Sequence, residues 1–182
     1  MPEIKGSTVV EAVNAYRTYL PEECRRVLAS LDPETRALVA EVQANEWIPV
    51  DAFVRYLQAQ VDAAGEDAKE LLLKRSRVVL DRQLRGVYRV FAKLSSPHAL
   101  IARLATVNAL FFRGVTVERE EPRKGEVILR YRGFEETHRL MEPIIAAFFQ
   151  AVLEINGAKD LRVEFTRPIG SPDHAALVLS WR

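Results

Sequence analysis

Val115-Thr116-Val117-Glu118-Arg119-Glu120 and Glu126-Val127-Ile128-Leu129-Arg130-Tyr131 flank the link Pro122-Arg123-Lys124-Gly125. Apolar and polar residues alternate in both runs, as in strands with one buried face, and the link reads as a hairpin connection. Upstream of Gly114 the spacing is helical instead. Val9, Val10, Val13, Tyr16 and Leu20 predict a helix from Ser7 to about Tyr19, stopped by Pro21. Pro21 then opens a second helix to Leu31, with Glu22 and Glu23 near its positive end. Asp32-Pro33-Glu34 starts a third through Val39 and Val42, broken at Trp47-Ile48-Pro49. Asp51 is expected to cap a fourth, which carries Phe53, Val54, Leu57 and Val61.

The longest helical signal runs from about Glu66 to Leu94, with Leu72, Leu73, Leu80 and Leu84 in one arc and the arginines opposite. Gln83 and Gly86 could interrupt it. Ser96-Pro97 reads as the cap and first residue of a further helix, which Gly114 ends. Beyond the hairpin, Ile144, Ile145, Phe148, Phe149, Val152 and Leu153 predict another helix, with Pro143 in its first turn and Asn156-Gly157 closing it. Leu161, Val163 and Phe165 alternate with polar residues, and a turn through Pro168–Asp173 leads into Ala175–Trp181. The expectation is one α+β domain over residues 1–182. Its N-terminal helices pack on a four-stranded antiparallel sheet, made of two hairpins with a helix between them.

Composition removes several function classes. Apolar residues make up 48% of the 182, as in an ordinary globular chain. Lys and Arg number 26 against 25 Asp and Glu, so there is no charge excess to hold a nucleic acid. The longest apolar run, Ile144–Phe149, is far too short for a membrane span, and the N-terminus lacks a signal-peptide pattern. A single cysteine, Cys24, fits a reducing compartment; the expected location is the cytosol.

No catalytic motif is legible, and the expectation is a protein that is not an enzyme. His98, His138 and His174 are far apart, and none lies near Cys24. Glu135, His138 and Glu142 could share a helical face, but a carboxylate-bridged metal site needs a second Glu-x-x-His, and there is none. His174, beside Asp173, is expected to face solvent. The serines lack a nucleophile elbow, the glycines form no phosphate loop, and Cys24 reads as structural.

The opening Ile4-Lys5-Gly6-Ser7-Thr8-Val9 resembles the start of heme–nitric oxide-binding sensor domains, as does the order of helices, hairpin, helix and hairpin. The closing pattern, from Gly133-Phe134 through Glu154-Ile155-Asn156-Gly157, is also similar to the 4-vinyl-reductase domain of the same superfamily. With Trp47-Ile48-Pro49 and Trp181, the chain further resembles a myxobacterial paralogous family of unknown function. The resemblance covers nearly the whole chain and implies a heme-NO-binding-like fold. In heme-binding members a histidine on the helix before the first hairpin holds the iron, and Tyr-x-Ser-x-Arg clamps the propionates. Here the helix has His98 at its start and Asn108 in the ligand's region, and the motif reads Tyr131-Arg132-Gly133-Phe134-Glu135. A glutamate where the arginine belongs repels a propionate, so no heme, and no other cofactor, is expected.

The resemblance places a cavity between helices and sheet. Phe91, Phe111, Phe148 and Tyr131 are the candidate lining for a small apolar ligand, although close packing makes a filled core the simpler expectation. Phe111-Phe112 and Phe148-Phe149 are adjacent pairs, of which one member each is expected to turn away, toward a helix contact or a homodimer interface. The arginine stripe of the long helix, Arg75, Arg82, Arg85, Arg89 and Lys93, is the candidate surface for a cytosolic protein partner. Its alternative is a solvated face neutralised by Glu118, Glu120 and Glu121. The leading expectation is a non-catalytic regulatory or protein-interaction domain; the second is a sensor for a small apolar ligand.

Overall fold

A computed structural model describes residues 1–83 and 96–182. Its helices among these residues are α1 (Gly6–Tyr19), α2 (Pro21–Ser30), α3 (Pro33–Ala40), α4 (Val50–Ala64), α5 (Ala68–Gln83), α6 (Pro97–Val107) and α7 (Met141–Asn156). The strands are β1 (Glu3–Lys5), β2 (Trp47–Pro49), β3 (Phe112–Arg113), β4 (Thr116–Arg123), β5 (Glu126–Arg132), β6 (Arg162–Arg167) and β7 (Ala175–Ser180). The architecture is α+β, with a four-stranded antiparallel sheet in the order β4-β5-β7-β6. The two hairpins therefore meet along β5 and β7, with α7 between them in sequence.

Alternation dictates which face of this sheet is buried. Leu129 on β5 lies opposite Leu177 on β7, which in turn faces Phe165 on β6. Leu129, Leu177 and Leu179 are wholly buried, in one hydrophobic cluster with Ile145, Phe149 and Leu153 of α7. The other face carries charge. Arg132 pairs with Glu118, Arg130 with Glu120, and Arg167 with Asp173. Glu118, Glu120 and Glu121 pair inside their own hairpin among the described residues, Glu121 with Arg119 and also near His98. His174 does not simply face solvent. It is half-buried, 3.1 Å from Arg130 Nη1, and desolvation with the nearby Arg167, Arg130 and Arg132 holds its pKa down.

Helix ends follow the local chemistry. Asp32 accepts a hydrogen bond from the Thr35 amide at the start of α3, and Ser96 does the same for Ala99 at the start of α6. Gly157, at φ +90°, closes α7 by donating to the Glu154 carbonyl. Asp51 departs from expectation. Pro49 holds the cap position, Asp51 sits in the first turn of α4, and its Oδ1 is 3.0 Å from Nε2 of the buried His138.

A second sheet, in the order β2-β1-β3, was not legible as strands. Its members are two or three residues long and lie directly against helices, so no alternation can develop. It matters for the core: Ile4 pairs with both Ile48 and Phe112, and Ile4 and Ile48 are buried. Among the described residues, no helix is long and apolar enough to cross a membrane.

Leu129→Ala should lower the unfolding free energy by about 2–5 kcal/mol, because the removed volume lies at the buried centre of the sheet. Ile128→Ala, on the other face, should cost well under half of that in the same urea titration.

Candidate functional site

A cavity of about 610 Å³ opens between the N-terminal helices, α7 and the inner face of β5. Its walls include Phe53 and Leu57 of α4, Leu72 of α5, Tyr131 of β5, and Ile145 and Phe149 of α7. Close packing predicts a filled core at this place; among the described residues the walls leave this space between them. The volume falls in the range of small-molecule sites, about 300–1,000 Å³. Tyr19, Leu20, Val78 and Phe111 belong to the lining and are also exposed, so they mark an open side.

Of the residues expected to form a pocket, Phe111, Phe148 and Tyr131 stand in this wall, and Phe91 lies outside the described residues. Within the adjacent aromatic pairs, Phe149 is buried in the main core while Phe148 also packs toward Leu80, Leu100 and Val152, and Phe112 meets Phe134 while Phe111 is exposed. Phe111 and Phe112 both line the cavity, and so do Phe148 and Phe149, whose rings meet edge-on at 5.5 Å. The wall is wide enough on α7 to use neighbouring positions. Burial raises the pKa of the Tyr131 phenol, which keeps it neutral.

One part of the wall is polar, and Arg75 organises it. Its Nη2 donates to Glu23 Oε1 and its Nη1 to Gln60 Oε1, each at 2.8 Å, while the guanidinium lies 4.5 Å from the centre of the Tyr16 ring. Four helices, α1, α2, α4 and α5, are joined at this side chain. Arg75 was expected on a partner-facing surface, and the structure corrects this: its side chain is 18% exposed and turned toward α2 and α4. The reason is Glu23, which supplies the compensating charge across the helix interface. The side chain of Arg82, and all of Arg85, Arg89 and Lys93, lie outside the described residues.

Burial alone would raise the Glu23 pKa, but the hydrogen bond from Arg75 and its guanidinium charge, with the Tyr16 hydroxyl nearby, outweigh it and hold the carboxyl low. Tyr16 is shifted upward, by burial first and by Glu23 second. Its hydroxyl lies near both partners, yet among the described residues it closes no hydrogen bond of good geometry. Tyr16, Glu23 and Gln60 were not singled out from the sequence. Tyr16 reads as an apolar-face residue and Glu23 as a helix-start acid. The legible signal was Gln60, a polar residue within the arc of Phe53, Leu57 and Val61.

None of the three histidines lines the cavity among the described residues. His98 Nε2 accepts from the Gly125 amide at 3.3 Å, and its ring packs edge-on against Trp181 at 4.8 Å. His138 Nδ1 accepts from the Glu135 amide at 2.8 Å, and Asp51 occupies its other nitrogen. Glu135, His138 and Glu142 do not form a common helical face. His138 ends a 3₁₀ turn (Glu136–His138), Glu135 caps that turn, and Glu142 accepts from the Ile169 amide. No group of three His, Cys, Asp or Glu gathers as a metal site among the described residues. Cys24 is buried, and burial raises its thiol pKa.

Gly133 stands where the resemblance puts the serine of the propionate clamp. Its φ is +100°, and an added Cβ would sit 2.0 Å from the Gly114 carbonyl oxygen.

Solved structures share this arrangement from end to end. An Fe(II) unliganded H-NOX protein mutant from K. algicida superposes with a TM-score of 0.72 at 10% identity, over 98% of this chain and 97% of that one. This is the H-NOX fold. An Fe(II) H-NOX protein from S. oneidensis gives 0.71 at 11% identity, over 98% and 96%. An oxygen-binding H-NOX domain related to soluble guanylate cyclases gives 0.67 at 12%, over 98% and 95%. No family model matches the chain, and no curated protein matches its sequence.

Glu23→Gln should destabilise the protein by about 1–3 kcal/mol at neutral pH, since Arg75 loses its charged acceptor. A carboxyl with a lowered folded pKa contributes stability above its ordinary pKa and loses it as the pH falls through the folded value. The difference between wild type and variant should therefore shrink in acid, below the usual carboxylate range of about 4. Urea titrations of both proteins across that range check it.

Proposed function

We propose that this chain is a non-catalytic sensor domain that holds a small, largely apolar ligand in its cavity, without heme, and reports occupancy to a protein partner. The observation that carries this reading is the cavity itself: about 610 Å³, mostly apolar, and lined by no histidine among the described residues. Apolar walls of that extent open to water would be covered favourably by an apolar ligand. The expectation that ranked a partner surface first drew on the arginine stripe, and Arg75, buried against Glu23, no longer supports it. Arg77 is likewise engaged, with Glu154 of α7.

The residues present do not fit a heme. Iron needs an axial ligand, and His98 is held at the β4–β5 turn and Trp181. At the clamp position, the backbone of Gly133 is pressed against Gly114 and leaves no room for a serine side chain. Glu135 is exposed at the cap position of the 3₁₀ turn and offers a negative charge there. The oxygen complex described for one H-NOX relative belongs to that protein. What supports a sensing role here is the shared fold together with a cavity in the corresponding layer.

Native mass spectrometry of freshly purified protein should show a non-covalent adduct of small-molecule mass, lost on denaturation. Expression with added heme precursor should yield protein without a Soret band. A coloured, stoichiometric heme complex would overturn the reading.

A further inference from the structure

We infer that the ligand is a neutral molecule with a hydrocarbon body and a hydrogen-bond-accepting head of the carbonyl type, such as an ester, ketone, lactone or amide. This rests on the cavity reading above and takes it from shape to chemistry.

Charge disfavours an ionic head at the buried polar end of the cavity. Arg75 and Glu23 both line the cavity, are 18% and 19% exposed, and neutralise each other at 2.8 Å, whereas the other charged lining residues, Arg26, Glu66 and Lys74, are exposed to water. A carboxylate head placed here would gain a guanidinium already paired and meet the Glu23 carboxylate beside it. An ammonium head would meet the guanidinium. Either would bring an uncompensated charge into a mostly apolar space, where its desolvation outweighs what it gains.

Hydrogen-bond arithmetic then favours an acceptor. A guanidinium has five N–H groups, and the bonds to Glu23 and Gln60 engage its two terminal nitrogens. Gln60 spends its oxygen on Arg75, which leaves its amide NH₂ as the free side. The Tyr16 hydroxyl is buried and without a partner among the described residues, and Tyr16 is 6% exposed. Glu23 apart, the spare capacity at this end of the cavity is donor capacity. A buried donor left unmade is costly, and an acceptor brought by a ligand relieves it. The rest of the wall, with Phe53, Leu57, Ile145 and Phe148, suits an alkyl or aromatic body.

The test is displacement of Nile red, a neutral apolar dye, from the full-length protein by methyl decanoate, decanoate, decylamine and undecane. Methyl decanoate should compete at a concentration about tenfold below the other three, the effect of one good hydrogen bond. Tyr16→Phe and Gln60→Leu should each reduce that preference and leave undecane unchanged, with circular dichroism confirming that both variants fold. Tyr16→Phe removes a hydroxyl that closes no hydrogen bond of good geometry and keeps the ring under Arg75, so it keeps the test available if Gln60→Leu does not fold. Decanoate competing as well as its ester, or an ester preference intact in the folded variants, would overturn the inference. Undecane binding with no preference for the ester would also overturn it while leaving the cavity reading in place. No uptake of Nile red and no binding of any of the four would remove the cavity reading itself.

Discussion

The N-terminal half of this protein depends on a single guanidinium. Arg75 reaches from α5 to Glu23 on α2 and Gln60 on α4, and rests on the Tyr16 ring of α1. A half-buried ion pair gains little over well-packed apolar residues of the same volume, and its removal on one side leaves a charge stranded. Its value here is geometric. Four amphipathic helices could slide over one another on apolar contacts alone, whereas a planar fork with two fixed acceptors sets their positions. The cavity is what remains between helices so fixed and the sheet, and its polar end is made of the same atoms.

The chain has the H-NOX fold, and its sequence resemblance aligns Tyr131-Arg132-Gly133-Phe134-Glu135 with the clamp motif. Gly133 illustrates how backbone and side chain are coupled. A left-handed residue against the Gly114 carbonyl lets β5 leave the sheet close to the start of β4, and that approach is open only to a residue without a Cβ. A serine at the same place would demand a different path for both segments. The departure from the clamp pattern is therefore built into the main chain, and exchanging one side chain would not reverse it.

Much of this was legible in the residues. Pro21, Pro33 and Pro97 announce helix starts, Gly157 a helix end, and the alternation about Leu129 and Leu177 the buried face of the sheet, because each is a local rule with a local cause. Three features were hidden. The β1-β2-β3 sheet is too short for a period to appear. Asp51 looks like a cap, but its partner His138 is 87 residues away. Arg75 falls on the polar side of its helix, and only the packing of α2 shows that this side is an interface. In each case the deciding contact is tertiary, and periodicity carries no information about it.

The outermost strands of the main sheet bear on how two copies of this protein can meet. β4 presents Glu118, Arg119, Glu120, Glu121 and Arg123 in near succession, and β6 at the opposite border carries Arg162 and Glu164 as a pair. Backbone groups along a border strand would otherwise recruit a strand from another molecule. Here any such approach must first strip water from rows of ions already satisfied by their neighbours. Strand addition is thereby discouraged on both sides.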